Sequence, residues 1–432
     1  MAISLERSHM RTLALAVAVS ALSFAIGFKF FSKAFPEASI QFRVNRSDSQ
    51  PLAANFAASR GISTQGYQHA VIFDYDDTAK LYLERTQGLE RMNRLTRGPV
   101  HIWRWDHRWF RPQHKEEFRV DISPAGQVVG FEHDIPDTRA GANLTQVDAR
   151  TRAEDFLQTV MKKDLADLEF LEGSTTKRRA RTDHNFTWKV KSVDLGAGSL
   201  RLSVEVAGDQ VMGYHEFVKI PEEWLRGYEN LRARNNSAQV VDEVFWILLS
   251  VAMLVILIQR LRDRDVPVLL ALGFGGVAAV LSFLSSLNTY PLSLFGYSTT
   301  DSFSSFFANY IFQSAISAIG SGVFIFLLVA VAEPVYREAF PRFMAIRRYI
   351  SWEGLRSRSF FMANVIGITL TFFFFAYQTI FYLIANKLGA WAPTDIPFSP
   401  PECAPEGPSE TSSKSTAPNM NHGFCRHSLS AR

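Results

Sequence analysis

Three groups of residues have the types and spacing for chemistry. In Val71-Ile-Phe-Asp74-Tyr-Asp76-Asp77-Thr78 an apolar run of strand character ends in aspartates and a threonine. One carboxylate of such a pair can attack phosphorus while the next moves the proton, beside a bound Mg²⁺. The competing reading is structural. Residues 80–85 also alternate as a strand does, which makes the acidic stretch the turn of a hairpin. The second group is aromatic: Trp103, Trp105, Trp109 and Phe110, with His101, His107 and His114 among them. These four rings are candidate walls of a peptide-binding groove; the alternative is strand faces packed into a core. His101 and His107 have the chemistry of metal ligands, but no ligand spacing recurs and no metal residue is assigned. The third group is defined by what the apolar half withholds. Residues 240–386 contain no histidine, and the acids nearest a span are Asp242 and Glu243, at the start of the second. Deeper in stand neutral polar residues such as Asn309, Gln313, Asn364 and Gln378, which more often serve helix packing. No catalytic residue is assigned.

The elements that must position these groups follow from hydropathy. Residues 12–31 are mostly apolar, follow Arg7 and Arg11, and are long enough for a hydrocarbon layer of roughly 30 Å. Lys29-Phe-Phe-Ser-Lys33 is a poor cleavage region, so an uncleaved anchor is expected. Residues 240–258, 266–287, 307–331 and 360–386 are further spans, and Gly273, Gly275 and Gly276 should let helices approach closely. Arginine-rich stretches at 259–264 and 333–358 follow the second and fourth spans and mark the cytoplasmic side. The N-terminus is then inside and residues 33–239 are outside, in a bacterial inner (plasma) membrane. The lipid bilayer is one expected partner and a peptide or membrane protein another. A formal charge of +4 over 432 residues gives no reason to expect a nucleic-acid partner.

Between the first two spans the chain is polar. Alternating runs at 67–75, 80–85, 100–110, 117–123 and 127–134 read as strands, with a hairpin turn at Ser123-Pro-Ala-Gly126. A helix is expected near 35–60 and another through Leu144, Val147, Phe156, Leu157 and Val160, before strands at 168–172, 185–190, 200–206 and 210–220. Residues 221–235 form an amphipathic helix leading to the second span. A weak internal repeat runs through this half. Gly126-Gln-Val-Val-Gly130-Phe131-Glu-His133 is similar to Gly208-Asp-Gln-Val-Met-Gly213-Tyr214-His215-Glu, and Val44/Phe56 recur as Leu144/Phe156 at the same spacing of twelve. The pattern resembles paired PepSY-like modules, each a helix packed on a small antiparallel sheet. The expected fold is therefore membrane α-helical, with about five spans, plus an α+β extracytoplasmic domain of two such modules. The divisions are 1–32 anchor, 33–141 first module, 142–239 second module, 240–386 four-helix membrane region, and 387–432 disordered tail. That tail holds the chain's two cysteines, Cys403 and Cys425, and much Pro and Ser. Its abrupt change of composition after Phe398 is what a shifted reading frame or a truncated gene would leave.

Two family resemblances follow. The Asp74–Thr78 motif matches the first motif of haloacid-dehalogenase phosphatases, whose fold requires a helix after the motif and a parallel sheet. More of the chain, about residues 35–398, resembles long acidobacterial-type members of the CPBP (CAAX protease and bacteriocin-processing, or Abi) family of intramembrane metalloproteases. The stretches that carry this likeness include Trp103-Arg-Trp105 with Trp109-Phe-Arg-Pro112, Lys115-Glu-Glu-Phe-Arg-Val120, Leu294-Phe-Gly-Tyr-Ser-Thr-Thr300 and Glu333-Pro-Val-Tyr-Arg-Glu338. The resemblance implies hydrolysis of membrane-associated peptides by full-length relatives, which hold zinc with a Glu-Glu-x-x-x-Arg motif and membrane histidines. This chain lacks those motifs. Glu333-Pro-Val-Tyr-Arg337 has Ala332 in place of the first glutamate and is expected in a loop, and Phe110-Arg-Pro-Gln-His114 fits Phe-x-x-x-His only within the polar domain. No cofactor is therefore expected in the chain itself, which reads as catalytically silent. The alternative is a membrane-anchored sensor or inhibitor whose outer domain binds a peptide or protein.

Overall fold

Long apolar runs with no interior charge satisfy their backbone best as helices, and here they do so. A computed structural model of the chain describes residues 7–341 and 346–388. Within them five helices are long and apolar enough to cross a membrane: Met10–Ala34, Val240–Arg262, Val268–Gly296, Phe303–Ala339 and Arg358–Lys387. The expectation about the tail lies outside the described residues. In chain order the elements are α1 (Arg7–Ala34), α2 (Arg46–Ser59), β1 (Gln68–Tyr75), α3 (Asp77–Gln87), α4 (Leu89–Arg97), β2 (Trp103–Phe110), β3 (Glu117–Ile122), β4 (Val128–Asp134), α5 (Gln146–Thr159), β5 (Leu168–Lys177), β6 (Thr182–Leu195), β7 (Gly198–Ala207), β8 (Gln210–Lys219), α6 (Glu222–Arg262), α7 (Val268–Ser293), α8 (Phe303–Ala339), single turns α9 (Ile346–Tyr349) and α10 (Trp352–Leu355), and α11 (Arg358–Lys387). They divide into a sheet unit, Pro36–Leu225 with Thr289–Phe306, and a helical unit made of the other described residues.

The sheet unit is built twice. Its eight strands run β1-β2-β3-β4-β8-β7-β6-β5, antiparallel at every described pairing. Each half is a helix followed by four strands paired in chain order, with α3 and α4 inserted between β1 and β2 of the first, and the last strands of the two halves pair in the middle, Phe131 opposite Tyr214. The recurrent residues sit where the repeat puts them. Phe56 of α2 meets Phe131 edge-on at 5.4 Å, and Phe156 of α5 meets Tyr214 edge-on at 5.9 Å. Asn45 caps α2 and Thr145 caps α5 through their side-chain oxygens. Ala53 and Ala153 are both fully buried where the helices lie on the strands. Gly126 and Gly208 turn the two hairpins at φ +90 and +65, a region open to glycine at little cost.

Two local readings change. Residues 80–85 are helix α3, not a strand. Asp76 accepts from the Ala79 N–H at 2.7 Å and starts the helix, while Ala79, Leu81, Tyr82 and Leu83 are all buried. Lys80 and Glu84 are buried as well, so no exposed face marks the helix, and Leu81 and Leu83, alternating with Lys80, Tyr82 and Glu84, imitate a strand. Helix α4 is not among the expected elements, although Leu89, Met92 and Leu95 stand at helical spacing. With α3 it packs against Trp103, Leu195, Leu200 and Val218.

In the helical unit α1 lies along α11, with Phe24 on Phe372 at 5.6 Å, Phe31 on Phe375 at 5.5 Å, and Ser20 Oγ donating to Thr369 Oγ1 at 3.2 Å. Helix α7 meets α8 at Gly275, where an added Cβ would fall 2.6 Å from the Gly322 carbonyl oxygen. Gly273 and Gly276 have nothing within 4 Å, so one of the three expected glycines makes the close approach. Leu257, Ala271, Ala330 and Val331 join α6 to this pair. The amphipathic stretch expected at 221–235 is not a separate element: α6 runs unbroken from Glu222 to Arg262. Helix α8 continues through Pro334 to Ala339, so Glu333 lies in a helix rather than a loop.

Candidate functional site

The phosphatase-like aspartates follow a strand and precede a helix, but the described pairings form an antiparallel sheet that gives them separate tasks. Asp74 takes the Arg104 guanidinium at 2.6 Å, and Asp76 is spent on the cap of α3. Burial, more than the nearby acids, pushes Asp76 up to about 6.

The four aromatics do not share one open surface. Strand side chains alternate, so Trp103, Trp105 and Trp109 point to the helix-covered face and Phe110 to the other. Trp103, Trp109 and Phe110 are buried, and Trp105 donates its indole N–H to the Val44 carbonyl at 3.1 Å. Trp103, Trp109 and Phe110 are core and Trp105 packs at its edge, the arrangement of strand faces packed into a core rather than of one open groove. Phe110 packs on Tyr297, whereas His114 is exposed in the turn after β2, so the Phe-x-x-x-His match forms no site. Among the described residues no group of three His, Cys, Asp or Glu side chains is placed to hold a metal.

What the structure gathers instead are two networks on the helix-covered face. In the first, His107 Nε2 lies 3.0 Å from Ser49 Oγ of α2, and His107 Nδ1 lies 3.0 Å from His69 Nε2 of β1. Ser49 donates its own proton to the Arg46 carbonyl at 2.9 Å. The serine must therefore accept from His107, the reverse of the arrangement that activates a serine nucleophile. Both imidazoles are held low, His107 at about 3 by burial, then His69 and Arg46, and His69 at about 4 by burial, then Arg46. In the second network, Glu216 of β8 receives His101 Nδ1 at 2.7 Å, Lys163 Nζ at 2.7 Å and the Tyr214 hydroxyl at 2.5 Å. Neither grouping shows in sequence: apart from Tyr214, which shares β8 with Glu216, the partners come from different elements.

The opposite face is a checkerboard of charge. Asp106 stands across from Asp121, and Arg108 across from Arg119. Burial, then Asp121, pushes the Asp106 carboxyl well above the carboxylate range. Glu132 and Glu205 flank Gly213 in adjoining strands. Glu205 keeps solvent access, which screens part of that repulsion, yet partial desolvation followed by Glu132 and Asp183 moves it upward. Arg108 also clasps Thr289–Phe306: its Nη1 donates to the carbonyls of Phe295 at 2.6 Å and Tyr297 at 2.8 Å, while Glu117 takes the rest of the fork.

In the helical unit, Glu333 is buried in α8 with Arg337 Nη2 at 3.7 Å. Arg337 reaches Asp265 at 2.5 Å, and Arg260 pairs with Glu338 and, at 3.7 Å, with Asp265. These five side chains tie the end of α6, the turn before α7 and the end of α8. Asp242 and Glu243 are exposed on α6, and Asn364 bonds back to the Phe360 carbonyl at 2.8 Å. No protein-family model, curated protein or solved structure matches the chain.

Proposed function

We propose that the chain is a membrane-anchored binding protein, related to the accessory part of CPBP-type peptidases, whose paired PepSY-like modules engage a peptide or protein on the non-cytoplasmic side. The observation that carries this reading is the fusion of two helix-and-sheet modules into one sheet with α2 and α5 over the same face. On the other face Asp134, Asn185 and Glu205 reach solvent. A polar sheet surface of this kind can offer hydrogen bonds and charge to a partner while the core stays shut. The proposed orientation is supported by the Arg108 clasp. It joins the stretch after α7 to the sheet unit, and both are segments whose charge pattern assigns them to the outside.

The test is photo-crosslinking in living cells with a benzophenone amino acid placed at Asn185 or Glu205, and at Arg152 on α5 as the control. The reading expects adducts of defined size from the first two positions and none from the third. Equal adducts from all three, or none anywhere, would contradict it. The purified chain is also expected to give no chelator-sensitive cleavage of membrane peptides, and such cleavage would restore the peptidase reading to this chain itself.

A further inference from the structure

The two modules hold their helices by chemically different ties. In the second, His184 of β6 stands between the Thr175 hydroxyl, 3.0 Å from Nδ1, and the Leu144 carbonyl ahead of α5, 3.1 Å from Nε2. Both partners accept hydrogen bonds, so a protonated imidazole keeps both. In the first, the place that matches His184 is Trp105, and the histidine two residues further along the second strand, His107, faces another imidazole. Two ring nitrogens 3.0 Å apart can share one proton, but they repel when each carries its own. The rings are stacked at 5.2 Å and 12°, and His107 and Ser49 are fully buried, so neither can turn away into water.

The surroundings sharpen the conflict. Arg46, from the first turn of α2, is the charged group felt by both imidazoles. On β2 the charged neighbours Asp106 and Arg108 lie on the opposite face, and β3 offers Phe118 and Val120 on this one. His133, paired with Glu116, lies beyond Phe118.

We propose that Ser49, His107 and His69 form an acid-operated latch, which releases α2 from the sheet when both imidazoles are protonated and uncovers Trp109, Phe118 and Phe131, while α5 stays in place. The sign follows from linkage. The folded-state values, about 4 and about 3, lie below the ordinary 6.5. The stabilisation is therefore complete above that ordinary value and is lost as pH falls through the folded values.

Hydrogen exchange of the full chain in lipid nanodiscs tests this, because the ratio of α2 to α5 amide protection in one molecule cancels the intrinsic effect of pH. Between about pH 7 and about pH 3.5 the ratio should fall by about tenfold or more. His69→Gln should abolish the fall, since an amide can turn to donate to or accept from His107. His184→Gln should leave it unchanged. A constant ratio in the unaltered chain, or an undiminished fall in His69→Gln, would overturn the latch.

Discussion

Replacing Glu216 with alanine is expected to destabilise the sheet unit by about 3–5 kcal/mol, the usual cost of breaking a buried ion pair from one side. The Glu216 side chain is 2% exposed and holds three donors. Burial alone would raise its pKa. The bond and charge of His101, followed by Lys163, outweigh burial and keep the carboxylate below its ordinary range. His101 precedes β2 in the first module and Lys163 follows α5 in the second, so one carboxylate ties both halves on the face away from the charged checkerboard. Alanine leaves a buried hydroxyl and a largely buried imidazole without their acceptor. Glutamine keeps an acceptor but loses the charge, and should cost about half as much. Urea unfolding of the full chain in detergent, followed by tryptophan fluorescence, measures both variants. A loss under about 1 kcal/mol for alanine would mean that Glu216 does not join the modules.

Replacing Arg108 with alanine should be comparably severe, with a more local signature. Its side chain is 6% exposed, its guanidinium lies 4.9 Å over the Phe110 ring, and it serves Glu117 and two carbonyls at once. Alanine leaves the Glu117 carboxylate to the more distant Arg119, at 3.6 Å, and frees both carbonyls, a cost of about 3 kcal/mol. Hydrogen exchange in Thr289–Phe306 should rise by about tenfold or more while β6 and β7 keep their protection. Lysine keeps the charge but not the fork, and should rescue only part of the loss. Unchanged exchange in Thr289–Phe306 would show that the aromatic contacts of Tyr297 with Phe110, Phe303 and Phe306 suffice without the arginine.

Much of the architecture was legible because it is written in local pattern. Spans are continuous apolar runs, and β3 alternates cleanly up to a glycine turn. The repeat was legible because Phe56/Phe156 and Phe131/Tyr214 occupy matching places in two copies of one packing problem. What failed was of two kinds. Helix α3 is buried on nearly every side, so local periodicity misassigned it. The tryptophans of β2 looked like a surface because sequence does not show that α2, α3 and α4 cover them. The polar networks were invisible for another reason. Ser49, His69 and His107 come from three elements, and only the sheet register together with the seating of α2 brings them within hydrogen-bonding distance. Arg108 belongs to the same class, since its partners Phe295 and Tyr297 lie far along the chain, after α7.

The most direct test of a membrane-anchored outer domain is single-cysteine labelling with a membrane-impermeant maleimide in intact cells. With Cys403→Ser and Cys425→Ser as background, one cysteine is placed in turn by Asp209→Cys between β7 and β8, by Thr300→Cys in the clasped stretch, and by Asp263→Cys after α6. All three native side chains are exposed. Labelling at 209 and 300 without permeabilisation, and at 263 only after it, is the expected result. Labelling of 263 in intact cells while 209 is protected, or 209 and 300 reporting opposite sides, would contradict it.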